Sequence, residues 1–287
     1  MMQWSYDTLL KWGTNELTAH DVENAALDAW YLLEHIYGIS RVDFLMRRSD
    51  SFDAAQMEKS TAYQALIRQR SEGFPVQYLT GSTEFMGLPF LVNEHVLIPR
   101  QDTEVLVETA LSMMKPGCRL LDMCTGSGCI VLSLAKLGTV TWGIGADISE
   151  EALKVAERNR ENLGLSQVKL VHSDLFGSVE GVFDMIVSNP PYVTAAEMEQ
   201  LPRSVADFEP HMALFGGEDG LDFYRDITSI FRSVLKPGGL MCYEFGMGQG
   251  DAVCAILEEN GFTILERTLD YNERERAVLA RYGRKEQ

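Results

Sequence analysis

Positive charge is scarce in this chain: 25 Lys and Arg stand against 42 Asp and Glu, a formal net charge of −17. That balance leaves no polycationic footprint for a phosphate backbone, and it argues against a protein dedicated to wrapping DNA or lying on a membrane surface. A local basic groove stays compatible with it. Cysteine is scarce too. Cys118, Cys124, Cys129, Cys242 and Cys254 form no CxxC pair and fall in no His/Cys ligand spacing, so no metal site is expected. An odd number of scattered thiols fits a reducing cytosol better than a secreted, bridged scaffold. The longest apolar stretch, CIVLSLAKLG, is interrupted and far short of a bilayer span. The opening MMQWSYDTLLKW lacks a basic segment followed by an apolar one, so no secretory signal is read there. A cytoplasmic protein without membrane contact is the expectation. Internal repeats and low-complexity segments are also missing. What remains is 287 residues, 46% of them hydrophobic, enough for two ordinary domains or one large α/β domain with an appendage, and in no need of covalent staples.

The texture of the chain changes along its length. Within residues 1–74, apolar positions recur at helical spacing in Asp21–Tyr37 (Val22, Ala25, Ala26, Ala29, Leu32, Leu33, Ile36), and Gly38 follows as a stop. A second helical run covers Ala54–Glu72, ended by Gly73 and Pro75. This reads as a small all-α domain whose stripes are core, with 7 basic and 11 acidic residues. Residues 75–100 read as a linker holding a hairpin: Glu84–Met86, a turn at Gly87-Leu88-Pro89, then Phe90–Val92. Over residues 101–287 strands alternate with helices. Strands are expected at Arg119–Met123, Val140–Ile148, Val168–Ser173, Phe183–Ser188, Leu240–Phe245, Phe262–Thr268 and Ala277–Tyr282. Helices are expected at Thr103–Met114, Gly128–Leu137, Glu150–Leu163, Phe223–Leu235 and Gln249–Glu259. Near-continuous apolar strands with amphipathic helices between them indicate an α/β fold, a mostly parallel sheet covered on both faces. Asp270–Arg276 is too short for a crossover helix, so the last two strands should pair as an antiparallel hairpin.

Two segments carry chemistry. The first, Leu121-Asp122-Met123-Cys124-Thr125-Gly126-Ser127-Gly128, joins the first strand of the sheet to its first helix. A glycine-bearing turn there lets a ligand approach the backbone closely. Asp147 follows 19 residues after Gly128, at the end of the second strand, where a carboxylate can accept hydrogen bonds from both ribose hydroxyls. A third glycine and a Walker lysine are missing, which disfavours pyrophosphate and triphosphate ligands. Asp174 stands where it could meet an adenine amino group, or cap a loop. The arrangement resembles the S-adenosylmethionine site of class I methyltransferases, with Cys124 where that family usually has a glycine. A Cβ at positive φ costs roughly 1–2 kcal/mol, so the expectation is a negative φ at Cys124, with close approach at Gly126 and Gly128.

The second segment, Ser188-Asn189-Pro190-Pro191-Tyr192-Val193, ends the fourth strand. Two prolines remove two N–H donors and stiffen the bend. The Asn189 side-chain oxygen and the Pro190 carbonyl are left as rigid acceptors, suited to the two hydrogens of a planar –NH2 group. Holding both raises electron density at that nitrogen and aims its lone pair at an electrophile, while Tyr192 would cover one face and exclude water.

In this context Asn189–Tyr192 resembles the methyltransferases that modify planar nitrogens: adenine N6, cytosine N4 or a glutamine amide. Leu97-Ile98-Pro99-Arg100-Gln101-Asp102-Thr103-Glu104, Phe208-Glu209-Pro210 and Ala213–Leu221 narrow the resemblance to the peptide chain release factor N5-glutamine methyltransferases, and it covers essentially the whole chain. It implies a Rossmann-like seven-stranded class I methyltransferase sheet with an antiparallel last strand, behind a small all-α N-terminal domain that holds the substrate. Gln101, where the family usually has proline, and Tyr271–Arg276 depart from its pattern. By similarity, Cys124, Thr125, Gly126, Ser127, Gly128, Asp147, Asp174, Leu175 and Asn189 would bind S-adenosylmethionine. Asn189, Pro190 and Tyr192 would be catalytic, and Pro191 would complete the acceptor pocket. Phe85 is a candidate wall for the substrate glutamine or a core aromatic. Arg100 could position a carboxylate or form a surface ion pair, and Glu244 could belong to the cleft or merely end a strand. The implied partners are class 1 release factors, methylated at the glutamine of Gly-Gly-Gln by a monomeric enzyme without direct nucleic-acid contact. The other readings are N6-adenine methylation of DNA or RNA, methylation of a ribosomal-protein glutamine, and a non-catalytic cofactor-binding module. No role falls to His20, His35, His95, His172 or His211.

Overall fold

The computed structural model describes residues 4–283, which divide into two compact units. One runs to Ser82 and includes Arg203–Phe208; the other takes Thr83–Pro202 and the chain from Glu209 onward.

The first unit is built of helices Tyr6–Ala19, Ala25–Tyr37, Arg41–Arg47, Ala54–Ser71 and Val76–Thr80. Ser5 and Asp53 start two of them with reciprocal capping boxes, to Thr8 and Gln56, each satisfying N–H groups that a helix end otherwise leaves unpaired. Leu9, Leu17, Leu32, Leu33, Tyr63 and Ile67 are its buried centre. Tyr6–Ala19 escaped the sequence reading because Gly13 and polar residues break its stripe. Gly13 has a packing reason: a Cβ there would lie 2.1 Å from the Tyr63 hydroxyl, which donates to the Ala29 carbonyl.

Strands β1 (Ser82–Phe85) and β2 (Leu88–Leu91) form the hairpin, which belongs to the second unit from Thr83 on. Its turn is Met86-Gly87, not Gly87-Leu88-Pro89. Both residues have positive φ (53° and 70°), the requirement of the two-residue turn whose twist matches a hairpin. The Met86 N–H donates to the Glu104 carboxylate at 2.5 Å, which holds a non-glycine residue in that conformation.

The main sheet comprises β3 (Cys118–Met123), β4 (Val140–Asp147), β5 (Val168–His172), β6 (Phe183–Ser188), β7 (Leu235–Glu244), β8 (Phe262–Leu269) and β9 (Glu275–Tyr282), in the order β5-β4-β3-β6-β7-β9-β8. Pairings from β5 through β7 are parallel, while β9 runs antiparallel to both neighbours. This is the expected seven-stranded α/β sheet. β7 begins earlier than expected: Leu235 pairs with Phe183 and Leu240 with Met185, so Lys236–Gly239 form a bulge. Leu120, Val187, Cys242 and Leu279 pack beneath helices Glu104–Met113 and Cys129–Leu137. Leu121, Ile186, Met241 and Val278 pack beneath Asp222–Ile230 and Gly250–Glu259. Chain order reverses between β3 and β6, and the crevice beyond their carboxyl ends is where such sheets bind ligands. No helix among the described residues is long and apolar enough to cross a membrane.

Candidate active site

The loop from Cys124 to Gly128 leaves β3 with positive φ at alternate residues: 62° at Cys124, 54° at Gly126 and 79° at Gly128. The expected negative φ at Cys124 is therefore wrong. The loop is over-determined by its neighbours, which offset the cost of a Cβ there. Thr125 N–H donates to the Ala146 carbonyl (3.0 Å) and its hydroxyl to Asp122 (2.6 Å), while Gly126 N–H donates to Asp147 (2.8 Å). Asp122 is fully buried and also accepts the Val131 N–H, tying β3 to the following helix. Burial pushes its carboxyl up to about 7, against the hydrogen bonds from Thr125 and Val131. Gly128 serves packing: a Cβ would lie 3.0 Å from Leu132 and 3.2 Å from Ala156.

Beyond the loop lies a cavity of about 260 Å³ lined by Leu97, Cys124, Gly126, Asp147, Ile148, Asp174, Leu175, Asn189, Pro191, Met212 and Phe223, among others. Asp147 stands in it with each oxygen taking one backbone N–H, from Gly126 (2.8 Å) and Ser149 (2.9 Å). Each oxygen keeps a lone pair for a further donor. Burial raises its pKa, opposed by those N–H groups. His95 is the single basic side chain in the lining, which carries neither Lys nor Arg. Apolar walls, two carboxylates, a glycine backbone with no atom within 4 Å of a Cβ placed on Gly126, and no cation fit a nucleoside carrying hydroxyl and amino donors. They do not fit a polyphosphate.

Of the remaining loop residues, Thr125 and Ser127 are buried beneath the cavity, and the Ser127 carbonyl accepts from Asn159 (2.9 Å). They shape the site without lining it. Ile148, Ser149 and Ser173 do line it and went unread, although Ile148 and Ser149 directly follow Asp147 in sequence.

At the end of β6, Pro190 and Pro191 are buried and Asn189 reaches the cavity. Asn189 Nδ2 donates to Thr103 Oγ1 (3.3 Å), which turns Oδ1 away as a free acceptor. The bend is braced by backbone. Val193 N–H donates to the Leu214 carbonyl, Gly216 N–H to the Val193 carbonyl, and Gln249 to the Tyr192 carbonyl (2.9 Å). A Cβ on Gly216 would lie 2.6 Å from the Pro191 oxygen, and one on Gly220 2.3 Å from the Tyr192 oxygen. That close approach is why the Ala213–Leu221 segment is glycine-rich.

The Tyr192 ring borders a second cavity of about 280 Å³ with Val193, Gly246, Met247 and Arg276. Its hydroxyl donates to Glu244 (3.4 Å), and burial raises the phenol far above its usual range, with the Glu244 charge adding to it. Glu244, at the end of β7, is 1% exposed. Burial pushes it up to about 7, while a hydrogen bond from Thr103 and the Arg276 charge pull the other way. Arg276 also pairs with Asp270 (3.1 Å) and Asp102 (3.5 Å). Arg100 is committed to the buried Glu209, which also accepts the Ile98 N–H (3.3 Å), so it is an ion pair. Phe85 is 1% exposed and packs with Phe90 in the core. It does not reach either cavity, because its strand turns that side chain toward the helix layer.

Known proteins resemble this chain along nearly its whole length. The PrmC N-terminal domain model matches residues 8–81, and the methyltransferase small domain model matches residues 101–205. A release factor glutamine methyltransferase of Clostridium acetobutylicum is 41% identical over 262 residues, covering 89% of this chain and 91% of that protein. One from Geobacter sulfurreducens is 39% identical over 282 residues, 98% of each chain. Among solved structures, a methyltransferase from Pyrococcus furiosus superposes with a TM-score of 0.55 at 21% identity, over 69% of this chain and 91% of that one, a likeness of fold. With 98% of its length aligned to such a relative, the chain belongs to the release factor glutamine methyltransferase family.

Proposed function

We propose that this chain transfers the methyl group of S-adenosylmethionine to the side-chain amide nitrogen of the glutamine in the Gly-Gly-Gln motif of class 1 release factors. The observation that carries the reading is the Asn189 carboxamide, whose nitrogen is tied to Thr103 and which lines a cavity that holds neither Lys nor Arg.

Bound there, the cofactor supplies a methyl group on a positively charged sulfur, an electrophile that needs no metal or acid. Asp147 would take the ribose hydroxyls and Asp174 the adenine amino group, with Cys124 and Gly126 beside them in the cavity lining. Asn189 Oδ1 and the Pro190 carbonyl accept the two hydrogens of the substrate carboxamide. The amide nitrogen is a weak nucleophile because its lone pair is shared with its carbonyl. Two acceptors in fixed positions draw density back to nitrogen and hold it in line, so orientation substitutes for a strong base. Tyr192 stays protonated, and its ring covers the planar amide and excludes water. The nitrogen would form its bond to the methyl carbon as the sulfur–carbon bond breaks, and would release one proton to bulk solvent, which leaves the methylated amide neutral.

The helical unit, with no chemistry of its own, would hold the release factor at a second surface, and the enzyme would act as a cytoplasmic monomer. Two readings compete, methylation of adenine N6 and of a ribosomal-protein glutamine. Relatives near 40% identity over nearly the whole chain carry the release factor name and favour neither. The test is transfer of labelled methyl to purified class 1 release factor, DNA and RNA in parallel. Label confined to the release factor supports the proposal; label in nucleic acid with none in the protein refutes it.

A further inference from the structure

Gln249 stands immediately before helix Gly250–Glu259, and its side chain joins two other segments of the chain. Its Oε1 accepts the Gly246 N–H (2.9 Å), two residues past β7, and its Nε2 donates to the Tyr192 carbonyl (2.9 Å), directly after the two prolines. The Gly220 carbonyl lies 3.5 Å from the same nitrogen. A backbone N–H can only donate and a backbone carbonyl can only accept, so these partners leave the carboxamide one orientation. The chain makes room for it with two glycines. A Cβ on Gly246 would lie 3.0 Å from Gln249 Oε1 and 3.0 Å from the Tyr192 ring, and one on Gly220 would lie 2.4 Å from Gln249 Nε2. Gly220 also has a positive φ, but Gly246 does not. Close approach of Gln249 and Tyr192 is what calls for a glycine at 246.

We infer that Gln249 is a positioning residue for methyl transfer: by holding the Tyr192 carbonyl it fixes where Asn189 and the Pro190 carbonyl stand. This rests on the proposed amide-methylating activity and adds to it a residue from outside the bend. Between the Pro190 and Tyr192 carbonyls the chain has few soft torsions. The two rings fix φ at Pro190 and Pro191, and Pro191 keeps Pro190 extended. A shift of the Tyr192 carbonyl is therefore passed back along the bend instead of being absorbed within it. Gln249 lines neither the nucleoside cavity nor the one beside Tyr192. Its effect on transfer has to run through the bend, where a misplacement of about 1 Å costs on the order of 100-fold in rate.

The experiment compares the unaltered chain with Gln249→Met and Gln249→Lys in steady-state methylation of release factor, with calorimetry of S-adenosylhomocysteine binding and thermal melting alongside. Methionine keeps the length and removes both hydrogen bonds. Lysine restores a donor for the Tyr192 carbonyl, whether or not it carries its proton, and still leaves the Gly246 N–H without an acceptor. The expected result is a kcat roughly ten-fold lower in Gln249→Met, the weight of one lost orienting hydrogen bond, at unchanged cofactor affinity. Most of the rate should return in Gln249→Lys, although both variants should melt earlier than the unaltered chain. A methionine variant with normal kcat, a lysine variant as slow as methionine, or a loss that follows cofactor affinity would each overturn the inference. If Gln249→Met does not fold, Gln249→Leu takes its place. If Gln249→Lys does not fold, a lower kcat at unchanged KM in the apolar variant supports the inference, and a change in KM alone overturns it. Failure of all three to fold would make Gln249 a structural residue and overturn it too. A lack of transfer by the unaltered chain would overturn the proposed function itself.

Discussion

Replacing Asp147 by alanine separates two jobs that the structure assigns to one side chain. The carboxylate staples the glycine loop by accepting Gly126 N–H at 2.8 Å, and it fixes the start of the next helix by accepting Ser149 N–H at 2.9 Å. Its remaining lone pairs face the cavity, where they would receive the ribose hydroxyls. Hydrogen bonds to a charged group contribute about 1.5–3 kcal/mol. Losing them from the ligand should weaken S-adenosylhomocysteine binding roughly 10- to 150-fold. Two backbone N–H groups also lose their partner, so the melting temperature should fall as well. Asp147→Asn refines the test. Its amide oxygen can still accept from one backbone N–H, but its –NH2 faces the other, so the loop is only half held. Calorimetric titration with S-adenosylhomocysteine, paired with thermal unfolding, reads both effects. A lower melting temperature at unchanged affinity would show that Asp147 only shapes the loop, and the assignment of the cavity to a nucleoside would lose its main polar contact.

Three further outcomes follow from the geometry. Gly13→Ala should destabilise the helical unit by about 1–3 kcal/mol, since the new methyl must displace the hydrogen-bonded Tyr63; unchanged chemical denaturation would contradict this. Gly220→Ala should cost both stability and turnover, because its φ of 72° and a Cβ 2.3 Å from the Tyr192 oxygen force the acceptor bend to move; normal kinetics would show the bend to be set elsewhere. Asp122 has a folded pKa near 7 against an ordinary 3.8, so the folded state holds its proton longer than the unfolded one. Stability should therefore decline as pH rises from about 4 to about 7, and Asp122→Asn should remove that part of the slope; parallel stability–pH curves for the two proteins would refute the assignment.

Much of the catalytic unit could be read from residue pattern because its strands are buried on both faces. Phe183–Ser188 and Glu150–Leu163 fall where apolar runs and helical spacing put them. Departures occur where tertiary contacts override a local rule. Cys124 adopts a conformation that its own Cβ disfavours because Asp122, Ala146 and Asp147 fix the residues after it. Pro237-Gly238-Gly239 signals a break, yet the chain re-enters the sheet after a bulge. The hairpin turn moves to Met86-Gly87 because Glu104, far along the chain, supplies an acceptor for the Met86 N–H. Asn189, Asp147 and Asp174 announce themselves by residue type at strand ends. The partners that hold the bend do not: Thr103 reads as the first residue of a helix until the fold brings its hydroxyl to Asn189, and Glu244 stays undecided between cleft and strand end until it meets Tyr192.

The most direct test is mass spectrometry of the Gly-Gly-Gln peptide after release factor is incubated with S-adenosylmethionine and either the unaltered chain or Asn189→Ala. A single methyl group on the glutamine side chain with the unaltered chain, and none with Asn189→Ala despite retained cofactor binding, is the expected result. Methylation at another residue, or undiminished glutamine methylation by Asn189→Ala, would contradict the claim that the proline-stiffened bend at Asn189 selects and aims the amide nitrogen.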